Sequence, residues 1–251
     1  MRLAGRTALV TGSTKGIGLA IARAFVREGA RVVVHGRRPA ECAAVAATLG
    51  PAAVPVAADL ARAEEVRRLA REATAALGGV VDVLVNNAGQ PRVAPAVELA
   101  EADYRETLEV NLTAAFLLAQ EIGRGMLARG RGAIVNVSSV NGTVAFPHRL
   151  AYCVSKAGLN MLTKVLAIEW AATGVRVNAL APGYVETEMI RGLRDRGVLD
   201  TARLAGRTPL GRLAAPEEVA AAAVFLASDD AAYVTGAVLP VDGGWLAYGF
   251  V

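Results

Sequence analysis

Short β-branched apolar runs that alternate with longer stretches of helical spacing predict an α/β fold, a doubly wound parallel sheet of about seven strands with helices on both faces. Three observations carry this expectation. The runs are continuously apolar, as in strands covered on both faces. Strand-like and helical segments follow one another along the chain. No repeat, linker or charge run divides the 251 residues, so residues 1–251 are expected to form a single domain.

Taken in order, the first strand is expected at Thr7–Thr11, followed by a glycine-rich turn and a helix at Gly16–Glu28. The second strand and helix are Arg31–His35 and Ala40–Leu49, and the third pair Ala53–Ala57 and Ala63–Leu77. Val80–Asn86 is the fourth strand, with one long helix over Ala102–Met126 behind it. The strands Ala133–Ser138 and Val175–Ala181 flank a second long helix, Ala151–Ala172. Pro216–Ala227 is the last helix, with proline in its first turn and Glu217 and Glu218 facing its positive end; Ala237–Val241 is the last strand. Right-handed crossovers place ligands beyond the carboxyl ends of the strands, near the switch point.

Composition excludes several classes of function. At 54% hydrophobic and 20% charged residues, the chain can bury a large core, and with 5% aromatics that core falls to Ala, Val and Leu. The net charge of +4 comes from arginines dispersed among acids, without the basic block that tracks nucleic acid. Cys42 and Cys153 stand far apart, outside any metal-ligand or disulfide spacing, so no metal site is expected. No apolar run reaches about 18 residues and the N-terminal segment lacks a leader pattern; a cytoplasmic protein without membrane association is expected.

Directly after the first strand comes Gly12-Ser13-Thr14-Lys15-Gly16-Ile17-Gly18, opening a helix. Glycines there permit a tight turn and close approach to a pyrophosphate, and the helix N-terminus favours an anion. The second strand ends in Gly36, where an NAD site places an acid, and Arg37 and Arg38 follow. Guanidinium groups suit a 2′-phosphate, which points to NADP, with NAD as the alternative cofactor; ordinary solvated loop charges are the competing reading. Asp59, followed by Leu60, can accept from an adenine amino group, cap the next helix, or both.

Tyr152 and Lys156 lie four apart on one helix face. An ammonium near the phenol lowers its pKa, so the pair can exchange a proton with an alcohol or a carbonyl. Ser139, 13 residues before the tyrosine, can hydrogen-bond the same oxygen, and Asn111 is an awkward polar residue within an apolar helix.

With Thr11–Gly18, Asn86-Asn87-Ala88-Gly89, Ser139 with Tyr152 and Lys156, and Pro182-Gly183 in this order, the chain resembles the short-chain dehydrogenase/reductase family over essentially its whole length. The resemblance implies a Rossmann-type fold and interconversion of a secondary alcohol and a ketone by hydride transfer. It makes Tyr152 the general acid/base, has Lys156 also bind the nicotinamide ribose, and gives Ser139, rather than Ser138, the substrate oxygen. It has Asn111 hold a water in a proton relay. Asn87, Ala88 and Gly89 would line the adenosine side, and Val185 and Thr187 would meet the nicotinamide carboxamide. Tyr184–Arg212 would form a substrate lid, with Gln90, Arg92, Asn141, Phe146, His148 and Arg149 as further wall residues.

Tyr152–Met189 and the segment from Arg207 to Gly244 are similar to gluconate 5-dehydrogenase-like sugar and polyol dehydrogenases, implying a small polar sugar, polyol or sugar-acid substrate. The alternative, 3-oxoacyl-[acyl-carrier-protein] reductase, is disfavoured by the loop Val144–Arg149; a silent NADP sensor would have lost Tyr152 or Lys156. The family also implies a homotetramer built on the two long helices. Trp245, Tyr248 and Phe250, crowded at the end of the chain, are expected at an interface or in a neighbour's pocket, with packing on their own domain as the alternative.

Overall fold

The computed structural model describes residues 1–197 and 199–249. Its first half repeats strand and helix: β1 (Thr7–Val10), α1 (Gly16–Arg27), β2 (Arg31–Gly36), α2 (Pro39–Leu49), β3 (Ala53–Ala57), α3 (Ala63–Ala76) and β4 (Val83–Asn86). There follow α4 (Glu101–Leu108), α5 (Ala114–Arg129), β5 (Gly132–Val137), α6 (Leu150–Trp170) and β6 (Val175–Pro182). The chain closes with α7 (Glu188–Asp195), α8 (Thr201–Arg207), α9 (Pro216–Ala227) and β7 (Val238–Val241).

The seven strands form one sheet in the order β3-β2-β1-β4-β5-β6-β7, and every neighbouring pair is parallel. Successive side chains point to opposite faces, which explains why the strands are apolar throughout. Ala8, Val10 and Val32 pack on one face with Phe25 of α1 and Val219 and Ala223 of α9. Leu9, Val33 and Leu84 pack on the other with Leu69 of α3, Leu118 of α5 and Leu166 of α6. Leu9 is fully buried at the centre of this arrangement, and truncation to alanine would cost about 2–5 kcal/mol. The order reverses direction at β1, so a crevice opens beyond the carboxyl ends of β1 and β4.

Three expectations need correction. The β4 ladder starts at Val83 rather than Val80, whose carbonyl accepts the Thr7 hydroxyl at 2.8 Å instead of joining the sheet. The single helix expected over Ala102–Met126 is divided by a π turn at Glu109–Thr113, with Asn111 at its centre. The C-terminal aromatics are not uniformly turned outward: Trp245 is buried in its own chain, 5.3 Å from Tyr184 and 6.1 Å from Phe146 between ring centres. The Arg207 guanidinium lies 4.8 Å from the Trp245 ring and 4.7 Å from that of Tyr248, so α8 is tied to the tail. Phe250 lies outside the described residues.

The segment after β6 is anchored at its base. A parallel bridge joins Val185 to Ala214, with Glu186 N–H donating to Ala214 O and Ala214 N–H to Tyr184 O. Between these points α7 and α8 form an excursion over the strand ends. Leu150, Val154, Met161, Val165 and Ile168 make an exposed apolar stripe along α6, and Phe116 of α5 is also exposed.

Candidate active site

The turn after β1 is built for close approach. A Cβ on Gly18 would overlap the Gly12 carbonyl, so α1 can sit against the turn only with glycine there. Lys15 occupies the N-cap of α1 without a capping side-chain bond, and the first turn has no acid, so its N–H groups remain available to an anion. His35 supports the turn from β2. Its Nδ1 accepts the Gly12 N–H at 3.1 Å while Nε2–H donates to Ala58 O at 3.2 Å, an arrangement that fixes the neutral ring in one tautomer. Burial holds its pKa down at about 4. Ser13 is turned inward, accepting His35 N–H and donating to Val10 O, so of the loop residues its hydroxyl braces the turn rather than lining the cleft.

Gly36 also has a steric reason: a Cβ there would come within 2.7 Å of Thr14 Cγ2. Of the two arginines that follow, both line the cleft, but Arg38 is paired with Glu41 while Arg37 is exposed. Asp59 does not cap α3, whose N-cap is Arg62; its carboxylate accepts Ala61 N–H at 3.1 Å in a local turn and borders the cleft beside Leu60.

Across the switch point, Ser139, Tyr152 and Lys156 come together beyond the ends of β5 and β6. Lys156 is buried, its Nζ donates to Val137 O at 2.7 Å, and burial lowers its pKa to about 8. Burial raises the Tyr152 phenol above its ordinary value, against smaller opposing effects of Ser139 and the Arg149 charge. The expected lowering by the ammonium is therefore not realised here: Nζ is 5.6 Å from the ring centre and engaged with the backbone. Ser139 Oγ accepts Asn141 N–H at 3.1 Å, while Ser138 Oγ donates to the Lys156 carbonyl at 3.2 Å.

Asn111 is buried behind this group rather than lining the cleft. Its Oδ1 accepts Gln90 N–H at 2.9 Å, and its Nδ2 donates to Gln90 O at 3.2 Å and Ser155 Oγ at 3.1 Å. The side chain thus clamps the loop after β4 to α6 from within a π turn, a form often found at functional sites. Asn87, Ala88, Gly89, Pro182, Gly183, Val185 and Thr187 border the same cleft, and Thr187 caps α7 through Ile190 N–H. Of the expected walls, Gln90, Asn141 and Arg149 line it, whereas Phe146 packs on Trp245, and Arg92 is held by Asp103 and Glu106. His148 is also set back, in a positive-φ conformation, and its carbonyl accepts Ala94 N–H. The sequence reading missed the roles of His35 and Ser155. His35 is signalled only by a polar residue ending an apolar strand, and Ser155 only by its place between tyrosine and lysine.

The cleft, of about 890 Å3, spans both sides of the switch point. Uncapped N–H groups at α1, the glycine approach and the volume all fit an extended dinucleotide. Among the described residues there is no cluster of three potential metal ligands, and no helix is long and apolar enough to cross a membrane.

Comparisons with known proteins agree with this geometry. A family model described as enoyl-(acyl carrier protein) reductase matches residues 12–246. The chain is 46% identical over 250 residues to galactitol 2-dehydrogenase (L-tagatose-forming) of Cereibacter sphaeroides, covering 98% of this chain and 97% of that one. It is 47% identical over 247 residues to D-threitol dehydrogenase of Mycolicibacterium smegmatis, covering 97% and 94%. A solved structure of gluconate 5-dehydrogenase from Burkholderia cenocepacia, in complex with NADP and tartrate, superposes with a TM-score of 0.91 at 40% identity, covering 98% and 97%. The chain belongs to the short-chain dehydrogenase/reductase family and is an oxidoreductase of the class that acts on CH–OH groups.

Proposed function

We propose that this protein is an NADP-preferring dehydrogenase that interconverts a secondary alcohol and a ketone on a small sugar, polyol or sugar acid. The observation that carries the reading is the meeting of Ser139, Tyr152 and Lys156 in the same cleft as the uncapped glycine turn. The sugar and polyol dehydrogenases to which the chain is similar support the substrate class.

Gly12, Thr14, Lys15, Gly16, Ile17 and Gly18 would hold the pyrophosphate, Arg37 and Arg38 the 2′-phosphate, and Asp59 and Leu60 the adenine. Asn87, Ala88 and Gly89 would line the adenosine, and Pro182, Gly183, Val185 and Thr187 the nicotinamide. The bound nicotinamide supplies the hydride acceptor or donor. Tyr152 Oη takes the proton of the alcohol in one direction and returns it to the carbonyl oxygen in the other. Ser139 Oγ holds that oxygen in place. Lys156, whose pKa burial lowers to about 8, stands behind the phenol and passes protons onward. Asn111 fixes the loop and helix that frame this path.

The protein is read as a cytoplasmic homotetramer. The apolar stripe on α6 supports assembly, because a contiguous exposed face of this kind is a liability in a monomer.

The test is an initial-rate screen with NADPH and NADH against 5-ketogluconate, simple ketoses, diketones and an acetoacetyl thioester, with polyols and NADP⁺ in reverse. Turnover of a ketose or keto-acid with preference for NADPH is expected. The description of the matching family model favours one second reading, an acyl-carrier-linked reductase, and activity confined to the thioester would establish it in place of the first.

A further inference from the structure

Arg149 is a charged residue of the cleft that the proposed proton path leaves unused. It stands at the N-cap of α6, three residues before Tyr152, half-buried, and borders the cleft together with Asn141, Tyr152 and Tyr184. It lies on the side of the cleft that holds Tyr152 and Tyr184, across the switch point from the glycine turn.

Among the described residues, no carboxylate lies within ion-pair distance of Arg149. The other arginines near the cleft differ in this respect. Arg92 is held by Asp103 at 3.1 Å and Glu106 at 2.9 Å, and Arg38 by Glu41. Arg37 is exposed and lines the cleft after β2, on the other side of the switch point. A partly desolvated guanidinium without a counter-charge is unfavourable, and its five donors in a rigid fork match a carboxylate better than any hydroxyl.

We propose that Arg149 is a specificity-determining residue that recognises a carboxylate on the substrate, so that the protein acts on a sugar acid in preference to a neutral polyol. This rests on the dehydrogenase reading above. It adds that the reacting carbon at Tyr152 and the carboxylate at Arg149 belong to one small molecule.

The experiment compares tartrate with threitol, which share a four-carbon skeleton and differ in having carboxylates or hydroxymethyl groups at the ends. Calorimetric titration is done on the protein saturated with oxidised nicotinamide dinucleotide, for the wild type, Arg149→Gln and Arg149→Lys. The wild type should bind tartrate at least about 10-fold more tightly than threitol, as expected for a charge-assisted pair. Arg149→Gln should bring the two within about 3-fold of each other by weakening tartrate alone. Arg149→Lys, which keeps the charge but loses the fork, should retain an intermediate preference and guards against a folding defect in the glutamine variant.

A wild type without preference for tartrate, or a preference that survives in Arg149→Gln, would overturn the proposal. Because binding is read without turnover, the two ideas fail separately. Arginine-dependent tartrate binding in a protein that reduces no carbonyl would refute the dehydrogenase reading. Turnover of neutral ketoses with no tartrate preference would refute the role of Arg149.

Discussion

The Lys156 ammonium lies 5.6 Å from the centre of the Tyr152 ring, yet donates to the Val137 carbonyl at 2.7 Å. Burial disfavours charge on both groups, lowering Lys156 to about 8 and raising Tyr152. Neither residue is therefore activated merely by standing four apart on a helix. The phenol becomes a good base only when further positive charge enters the cleft.

From this pair follow two variants with opposite signatures. Tyr152→Phe should leave coenzyme affinity within about 2-fold and lower kcat by roughly 1,000-fold or more, read by fluorescence titration and initial rates. Lys156→Met should also abolish turnover, but it should raise stability at neutral pH by up to about 3 kcal/mol. The folded pKa lies below the ordinary lysine value, so the folded state carries the burial penalty at pH 7 and escapes it as pH rises from about 8 toward 10.5. Urea melts of both proteins across that range would show the stability difference narrowing.

The two arginines after β2 should not be equivalent. Arg38 already has Glu41 as partner, whereas Arg37 stands exposed at the cleft. Arg37→Asp should shift the NADP-to-NAD ratio of kcat/KM by about 10-fold or more toward NAD, and Arg38→Asp by less. Gly36→Asp, the obvious way to install an acid, should weaken both coenzymes because its Cβ would press on Thr14. Kinetics with each coenzyme decide all three cases.

His35 gives the fold an acid-sensitive point. Its pKa of about 4 in the folded chain lies below the ordinary value of 6.5, so the unfolded chain binds the proton first as pH falls. Stability from this residue is complete above about pH 6.5, declines toward pH 4 and then levels off, for a total of about 3 kcal/mol. Stability measured against pH should fall more steeply in this window for the wild type than for His35→Gln. Parallel curves would remove the assignment.

The stripe on α6 predicts assembly through that helix. A Met161→Glu, Ile168→Glu double variant should sediment as a smaller species than the wild type while keeping its helical signal, since both residues are exposed in the single chain. Identical sedimentation of the two proteins would assign the stripe to solvent.

Much of this was legible in the sequence because it depends on local rules. Continuous apolar runs gave the parallel strands, and Gly12–Gly18 between strand and helix gave the anion-facing turn. What escaped depends on partners distant along the chain. Asn111 marks a break in its helix only because Gln90 and Ser155 bond to it, and neither is a neighbour in sequence. Trp245, for which an interface and its own domain were both open, packs on Phe146, Tyr184 and Arg207, and the sequence does not show this because these partners come from three separate segments. The phenol's raised pKa likewise follows from burial, which residue spacing does not report.

The π turn at Glu109–Thr113 also bears on how this chain tolerates change in length. Such a turn holds one residue more than regular helical winding, so removing a single residue there would let α4 and α5 merge into an unbroken helix. The merged helix would have better backbone geometry, and because the wide turn absorbs its extra residue, the flanking faces would keep their phase and the change would fall on the residues of the turn itself. Asn111 could not then meet Gln90 and Ser155 together. A one-residue deletion at this place is thus a mutation that repairs secondary structure and disconnects the loop after β4 from the helix bearing Tyr152 and Lys156.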